Sequence, residues 1–337
     1  MSVGLGHWSL KQGSSSAHSD YKITHVQDYS ICKEIFLMNK IFDFVDRQKC
    51  ERIIQKTWED FRLQLAHKDF LYNDIDKACE STFLHVFDDL FQHGNRFFEK
   101  KASDVLTMNT GIVRAARIPP DAKEPDYDRF VPKAEFITKD NRFSPPGVEW
   151  LYLAFSQAPP TSDLCIEEIC ALKECRAKAG ERFALCAFEP DSKFQSTTLI
   201  DLTIAKDSQY EEINDELNQC GREVVRREIA KGYINALVKN VIPTPHIDEI
   251  VPALEKWAIF TYAKLLADQI FLPITTEDRA LTYAPFQCMA QYFLSKGYSG
   301  IVYSSTVFPE GKNVVLFDKE AAHPFGIIKS VTIPVDF

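Results

Sequence analysis

The sequence predicts an α+β protein in which an all-helical amino-terminal region precedes a mixed domain of short strands and helices. Two changes of pattern along the 337 residues carry that expectation. Between about residues 30 and 101, apolar residues recur every three or four positions with no proline and no strand-like alternation. After Lys101, short runs rich in Val, Ile, Leu and aromatics are separated by Pro- and Gly-containing turns and interrupted by helical stretches. Strands and helices do not alternate regularly, which favours α+β over a doubly wound parallel sheet.

Residues 1–28 are Ser-, His- and Gly-containing and aperiodic, and read as a loosely held arm. In the helical region, 29–103, one stripe is Ile31, Ile35, Met38, Phe42 and Val45, a second is Cys50, Ile54, Trp58, Phe61 and Leu65, and a third surrounds Phe83, Val86, Phe87, Leu90 and Phe91. The third region, 104–337, contains strand candidates at 110–118, 150–155, 183–188, 198–202, 300–303 and 313–317. Its helices are expected at Leu164 to Lys178, from Tyr210 to Cys220, from Ile250 to Leu265, and around Phe286 to Phe293, the last ended by Gly297 as a C′ glycine. Pro243 to Asp248 reads as a loop leading into a capped helix.

Composition narrows the function. With 39 Lys plus Arg against 48 Asp plus Glu, the net charge of −9 argues against nucleic-acid binding through broad phosphate neutralisation, although a local basic pocket fits it. The longest apolar run, Trp150 to Phe155, is far shorter than the roughly 18 to 20 residues that cross a bilayer, and the amino terminus lacks the pattern of a secretory signal, so a soluble, cytoplasmic protein is expected without membrane contact. Nine cysteines scattered through apolar stretches suit free thiols in a reducing compartment. No P-loop, H-E-x-x-H or G-x-S-x-G string occurs. Cys165, Cys170 and Cys175 are five residues apart and cannot share a helix face as metal ligands, so no metal is expected.

Three segments carry groups that a packed core alone would not choose. The strand Gly111 to Ile118 contains Arg114 and Arg117, whose planar guanidinium groups suit phosphate oxygens; carboxylate pairing at an edge strand is the other reading. In Asn141-Arg-Phe-Ser-Pro-Pro-Gly-Val-Glu-Trp-Leu-Tyr, a turn leads into a strand and places Arg142 before the turn and Tyr152 in the strand. The adjacent carboxylates Glu167 and Glu168 project about 100° apart on a helix, so only one of them is expected to face a pocket. The third segment is Gly297 to Val307, a strand ending at Ser304 and Ser305, followed by Gly311-Lys-Asn-Val-Val-Leu-Phe317. Serines at a strand end also satisfy turn backbone groups.

In order and spacing, these segments resemble the RES family, named for its Arg, Glu and Ser residues and known chiefly as toxins of bacterial toxin–antitoxin systems. The likeness covers about residues 111 to 318 and includes LIDLT at 199–203 and YAPFQ at 283–287. It implies an ADP-ribosyltransferase-like mixed sheet and an enzyme that consumes NAD by hydrolysis or phosphorolysis, with inorganic phosphate as co-substrate in the second case. Matching motif to motif puts the family's first arginine on Arg114 or Arg117, because Ala115 and Ala116 intervene where relatives usually have one residue. The second arginine falls on Arg142 and the strand tyrosine on Tyr152. The glutamate falls on Glu168, which is followed by aliphatic Ile169, with Glu167 in reserve, and the serine on Ser305, two residues after Tyr303.

Those residue types fit the reaction. Nicotinamide leaves NAD as a neutral ring and needs no general acid, so one carboxylate suffices to stabilise the oxocarbenium-like ribose and to orient the nucleophile. Arginines would hold the diphosphate, Tyr152 and Tyr303 would wall the ligand, and Ser305 would hydrogen-bond the ribose or amide. ADP-ribose transfer to a target and nucleotide binding without turnover are the two alternatives. An antitoxin protein as partner is implied by the family alone, and the helical region suits inhibition, dimerisation or partner binding equally.

Overall fold

The computed structural model describes residues 47–107, 110–159, 163–205, 210–223, 251–271, 279–335 and 337. The expected amino-terminal arm, the stripe Ile31 to Val45 and the loop Pro243 to Asp248 lie outside the described residues. The helices are α1 (Arg47–Ala66), α2 (Ile75–Ala78), α3 (Thr82–Gly94), α4 (Ala102–Val105), α5 (Ile166–Glu174), α6 (210–223), α7 (Val251–Phe271) and α8 (Arg279–Ser295). The strands are β1 (Glu99–Lys101), β2 (Gly111–Ile118), β3 (Leu151–Ser156), β4 (Arg182–Pro190), β5 (Thr198–Asp201), β6 (Gly300–Ser304), β7 (Lys312–Leu316) and β8 (Ala322–Thr332). This is the expected α+β class.

All eight strands form one mixed sheet in the order β1-β5-β6-β7-β3-β2-β4-β8. Only β5 and β6 run parallel; the other neighbours are antiparallel. Six strands arise where the apolar runs predict them. The edge strands β1 and β8 were not expected: Glu99, Lys100 and Lys101 show no apolar pattern, and β8 is mostly exposed, contains Pro324 and turns through Gly326 at φ 70°. Charge and proline are common on edges, where one side of the ladder meets water.

Alternation along the strands gives the sheet two faces. One carries Ile112, Leu153, Cys186, Val302 and Val314 and is covered by α4 with Phe130 and Phe194. The other is divided. Val113, Ala154 and Leu185 pack under Cys170, Ala171 and Leu172 of α5. Ile301, Tyr303 and Val315 instead join one apolar cluster with α1, α3, α7 and α8, and Tyr152 packs against it.

The stripes on α1 and α3 face that cluster, and their burial explains the three- and four-residue spacing. Trp58 meets Phe286 of α8 at 5.6 Å, Phe83 meets Tyr262 of α7 at 5.5 Å, and Phe87 meets Tyr292 of α8 at 5.6 Å. Helices on either side of residue 103 thus share one interior. Ser81 caps α3 by accepting a hydrogen bond from the Leu84 amide at 3.3 Å. At the end of α8, Gly297 has φ 88° and the Tyr298 amide reaches back to the Phe293 carbonyl at 3.1 Å, the Schellman closure expected at that glycine.

A polar pin fastens α3 to the end of α8. Tyr292 donates to Asp88 Oδ1 at 2.5 Å, and Lys296 Nζ lies 2.6 Å from the same oxygen. Burial acts to raise the Asp88 carboxyl, but the bonds from Lys296 and Tyr292 outweigh it and hold the group below its usual range. A carboxyl depressed by folding adds stability above its unfolded pKa and loses that stability as pH falls through the folded value. Asp88→Asn should cost about 1–3 kcal/mol at neutral pH and flatten the acid side of a melting-temperature profile. Equal acid sensitivity in both proteins would count against the pin.

Candidate active site

The site forms where the two coverings of the divided face meet. Helix α5 starts at Cys165, whose extended backbone makes it the N-cap. Glu168, at the third helical position, accepts from the Cys165 amide at 2.9 Å, one half of a capping box. Its carboxylate also lies 3.0 Å from Lys329 Nζ on β8. The helix ends just after Glu174: Arg176 takes φ 51° and the Ala177 amide bonds back to the Leu172 carbonyl at 3.1 Å. That reversal leaves Glu174 on the last turn beside the β6–β7 hairpin.

Glu174 Oε1 accepts from Ser305 Oγ at 2.8 Å and from Asn313 Nδ2 at 2.7 Å. Ser305 Oγ in turn accepts from the amides of Val307 and Phe308 at 3.3 and 3.1 Å, so it closes the turn as well as gripping the carboxylate. Asn313 is oriented from its other side, because Cys170 Sγ lies 3.5 Å from its Oδ1. No hydrogen bond among the described residues reaches Glu174 Oε2, and the residue is exposed. One carboxylate oxygen is therefore fixed and the other faces outward.

Tyr303 relates this group to Tyr152 and Arg142, since its phenol feels all three. Burial pushes the Tyr303 phenol up, Glu174 and Tyr152 oppose its ionisation further, and Arg142 favours it. Burial likewise raises Tyr152, whose hydroxyl lies 2.9 Å from Ser144 Oγ. Tyr303 meets Phe143 edge to face at 5.0 Å. Arg142 is half-buried, with Cζ 6.0 Å from the centre of the Tyr283 ring, and has no hydrogen bond or carboxylate partner among the described residues. A guanidinium taken partly out of water with its donors uncommitted is a ready site for an anion.

Of the other residues singled out from sequence, Arg114 follows the last β2–β3 pair, Val113 with Ala154, and donates to the Phe130 carbonyl at 2.8 Å. Burial lowers its guanidinium to about 10, so it stays charged at neutral pH; its field reaches Cys175, and it feels Tyr152. Three residues on, Arg117 points to the opposite face, where Glu181 Oε1 lies 2.7 Å away and the Phe183 ring 5.4 Å away. Of the two strand arginines, Arg117 alone is neutralised by a carboxylate.

Glu167 is 8% exposed and packs so closely on Gly111 that a Cβ there would come within 2.0 Å of its Oε1; burial raises its carboxyl. The carboxylate bonded to Ser305 is thus neither of the two that the family match indicated. It is Glu174, one heptad beyond Glu167 on the same helix face, and that spacing was the available signal. Asn313 lay within a quoted motif but had no assigned part. Among the described residues, no group of three or more His, Cys, Asp or Glu could hold a metal ion, and no helix is long and apolar enough to cross a membrane.

Close packing at Gly311 fixes the distance between α5 and the hairpin. A Cβ on Gly311 would meet Cys170 Sγ at 2.4 Å and Cys170 Cβ at 2.9 Å. Gly311→Ala should therefore destabilise by about 1–3 kcal/mol through overpacking, and adding Cys170→Ala should recover much of that loss. Chemical denaturation of the two single variants and the double variant measures it, and strictly additive losses would refute the contact.

No curated protein and no solved structure matches the chain. The RES domain family matches residues 238–336. That span contains α8 and the hairpin with Tyr303, Ser305 and Asn313, while Arg114, Arg142, Tyr152 and α5 precede it. Residues 238–336 are thus similar to the RES domain, the same family that the chain's motifs resemble.

Proposed function

We propose that this site binds NAD and that the chain cleaves the bond between nicotinamide and ribose. The RES match is consistent with an enzyme acting on NAD. The observation that carries the finer reading is the Glu174 carboxylate, held through Oε1 by Ser305 and Asn313 with no bond at Oε2 among the described residues, and acting on the same Tyr303 phenol as half-buried Arg142, which has no carboxylate partner among them. Nicotinamide departs with the electrons of the glycosidic bond and becomes neutral, so no proton need be supplied. Positive charge grows on the ribose, and a fixed carboxylate lowers the energy of that transition state without having to reorganise. Water as nucleophile gives ADP-ribose and a proton; inorganic phosphate gives ADP-ribose 1″-phosphate.

Arg142 would take the diphosphate, with Arg114 adding positive potential, while Tyr152 and Tyr303 wall the reacting end from bulk water. Ser305 and Asn313 act here as positioning residues for Glu174. Such an activity drains a shared cofactor, which suits a growth-inhibiting toxin restrained by a cognate protein.

Incubating the purified chain with NAD, with and without phosphate, should release nicotinamide in at least one condition. Glu174→Gln should lower kcat by about 10²- to 10³-fold, and its expression should relieve any growth arrest. Glu168→Gln should lower the melting temperature and retain most of the turnover. The opposite ranking of the two glutamates would restore Glu168 to the reaction. Radiolabel from adenine-labelled NAD remaining on a macromolecule would make the chain a transferase.

A further inference from the structure

We infer that Gln287 and Tyr283, on one face of α8, are the positioning residues for Arg142, so that α8 sets the strength of anion binding there. Arg142 sits in a stretch between residues 137 and 150 with neither helix nor strand, so its place must be imposed by neighbours. Gln287 is 3% exposed among the buried side chains Phe286, Cys288, Met289 and Ala290. An amide in such a setting is costly unless bonded. Its Nε2 donates to Asp140 Oδ1 at 3.0 Å and to the Asn141 carbonyl at 3.2 Å, the two residues directly before Arg142. The Asn141 amide then closes the turn onto the Ser144 carbonyl at 2.8 Å.

Four residues earlier on the same face, Tyr283 lies beneath the Arg142 guanidinium. One side chain thus ties the backbone entering Arg142 and the other supports its head group. At its far end α8 is pinned by Tyr292 and Lys296 to Asp88 of α3. The helical layer, through α8, reaches the anion site without touching the ligand. The sequence YAPFQ supplies both groups in a single helical turn. The identity of the anion rests on the NAD reading above; the positioning does not.

The test is calorimetric binding of ADP-ribose and of inorganic diphosphate to the unaltered chain, Gln287→Leu, Arg142→Ala and the double variant, with KM and kcat for NAD alongside. Gln287→Leu should weaken both ligands about tenfold and raise KM by a similar factor, with a smaller fall in kcat, and should cost nothing further once Arg142 is alanine. Gln287→Glu should weaken binding in the same way, and adding Asp140→Asn, which restores a donor facing the new carboxylate, should recover part of it. Additive losses in the double variant, or a lowered melting temperature with unchanged affinity, would overturn the positioning role and leave the NAD reading standing. Failure of the unaltered chain to bind either ligand would overturn both.

Discussion

A single sheet face covered by two helical layers that do not merge is the constraint on which the rest of the molecule depends. Helix α5 covers Val113, Ala154 and Leu185, while α1, α3, α7 and α8 cover Ile301, Tyr303 and Val315. Between them runs a seam along β3, β6 and β7. Apolar side chains serve both layers well, but at the seam the buried residues Tyr303, Ser305 and Asn313 carry polar atoms. Polar groups can be accommodated there provided that each finds a partner. Asn313 lies between the Cys170 thiol and the Glu174 carboxylate, and Tyr152 is bonded to Ser144. The same arrangement that satisfies these groups also fixes them, which is the condition for electrostatic catalysis.

The charge that matters is local. A net −9 says little about a site in which one arginine has no carboxylate partner among the described residues. Arg117 and Arg142 differ in this respect more than in sequence context: Glu181 neutralises the first, whereas the second leans on an aromatic ring. Glu167, Glu168 and Glu174 differ in the same way. Glu167 is buried against Gly111, Glu168 serves the helix start and Lys329, and Glu174 keeps one oxygen open. Three carboxylates on one short helix have three separate physical roles, set by what stands opposite each.

Much of the fold was legible in periodicity. Strands with an apolar face emerge within one or two residues of their expected limits, and helices form around the expected buried stripes, because burial imposes the spacing directly. The exceptions are β1 and β8, edge strands whose pairing depends on a neighbour far along the chain and not on their own apolar content. The site was legible in part. Arg142, Tyr152 and Ser305 stand in recognisable strings, and the structure gathers them around Tyr303. The contact of Glu174 with Ser305 was not legible, because a motif of adjacent carboxylates carries no information about which turn of the helix reaches the hairpin.

Chain order alone determined the α+β class, the position of most strands, the buried stripes of α1 and α3, and the RES-like strings around Arg142 and Ser305. These depend on local periodicity and on turn chemistry, which act over a few residues. Only the tertiary structure decided that the amino-terminal helices share an interior with α7 and α8, that Arg117 is neutralised, and that Glu174 meets Ser305 and Asn313 across more than 130 residues of chain. The reason is geometric: a side chain's charge is available or spent according to its partner, and partners are chosen by packing between elements remote in sequence.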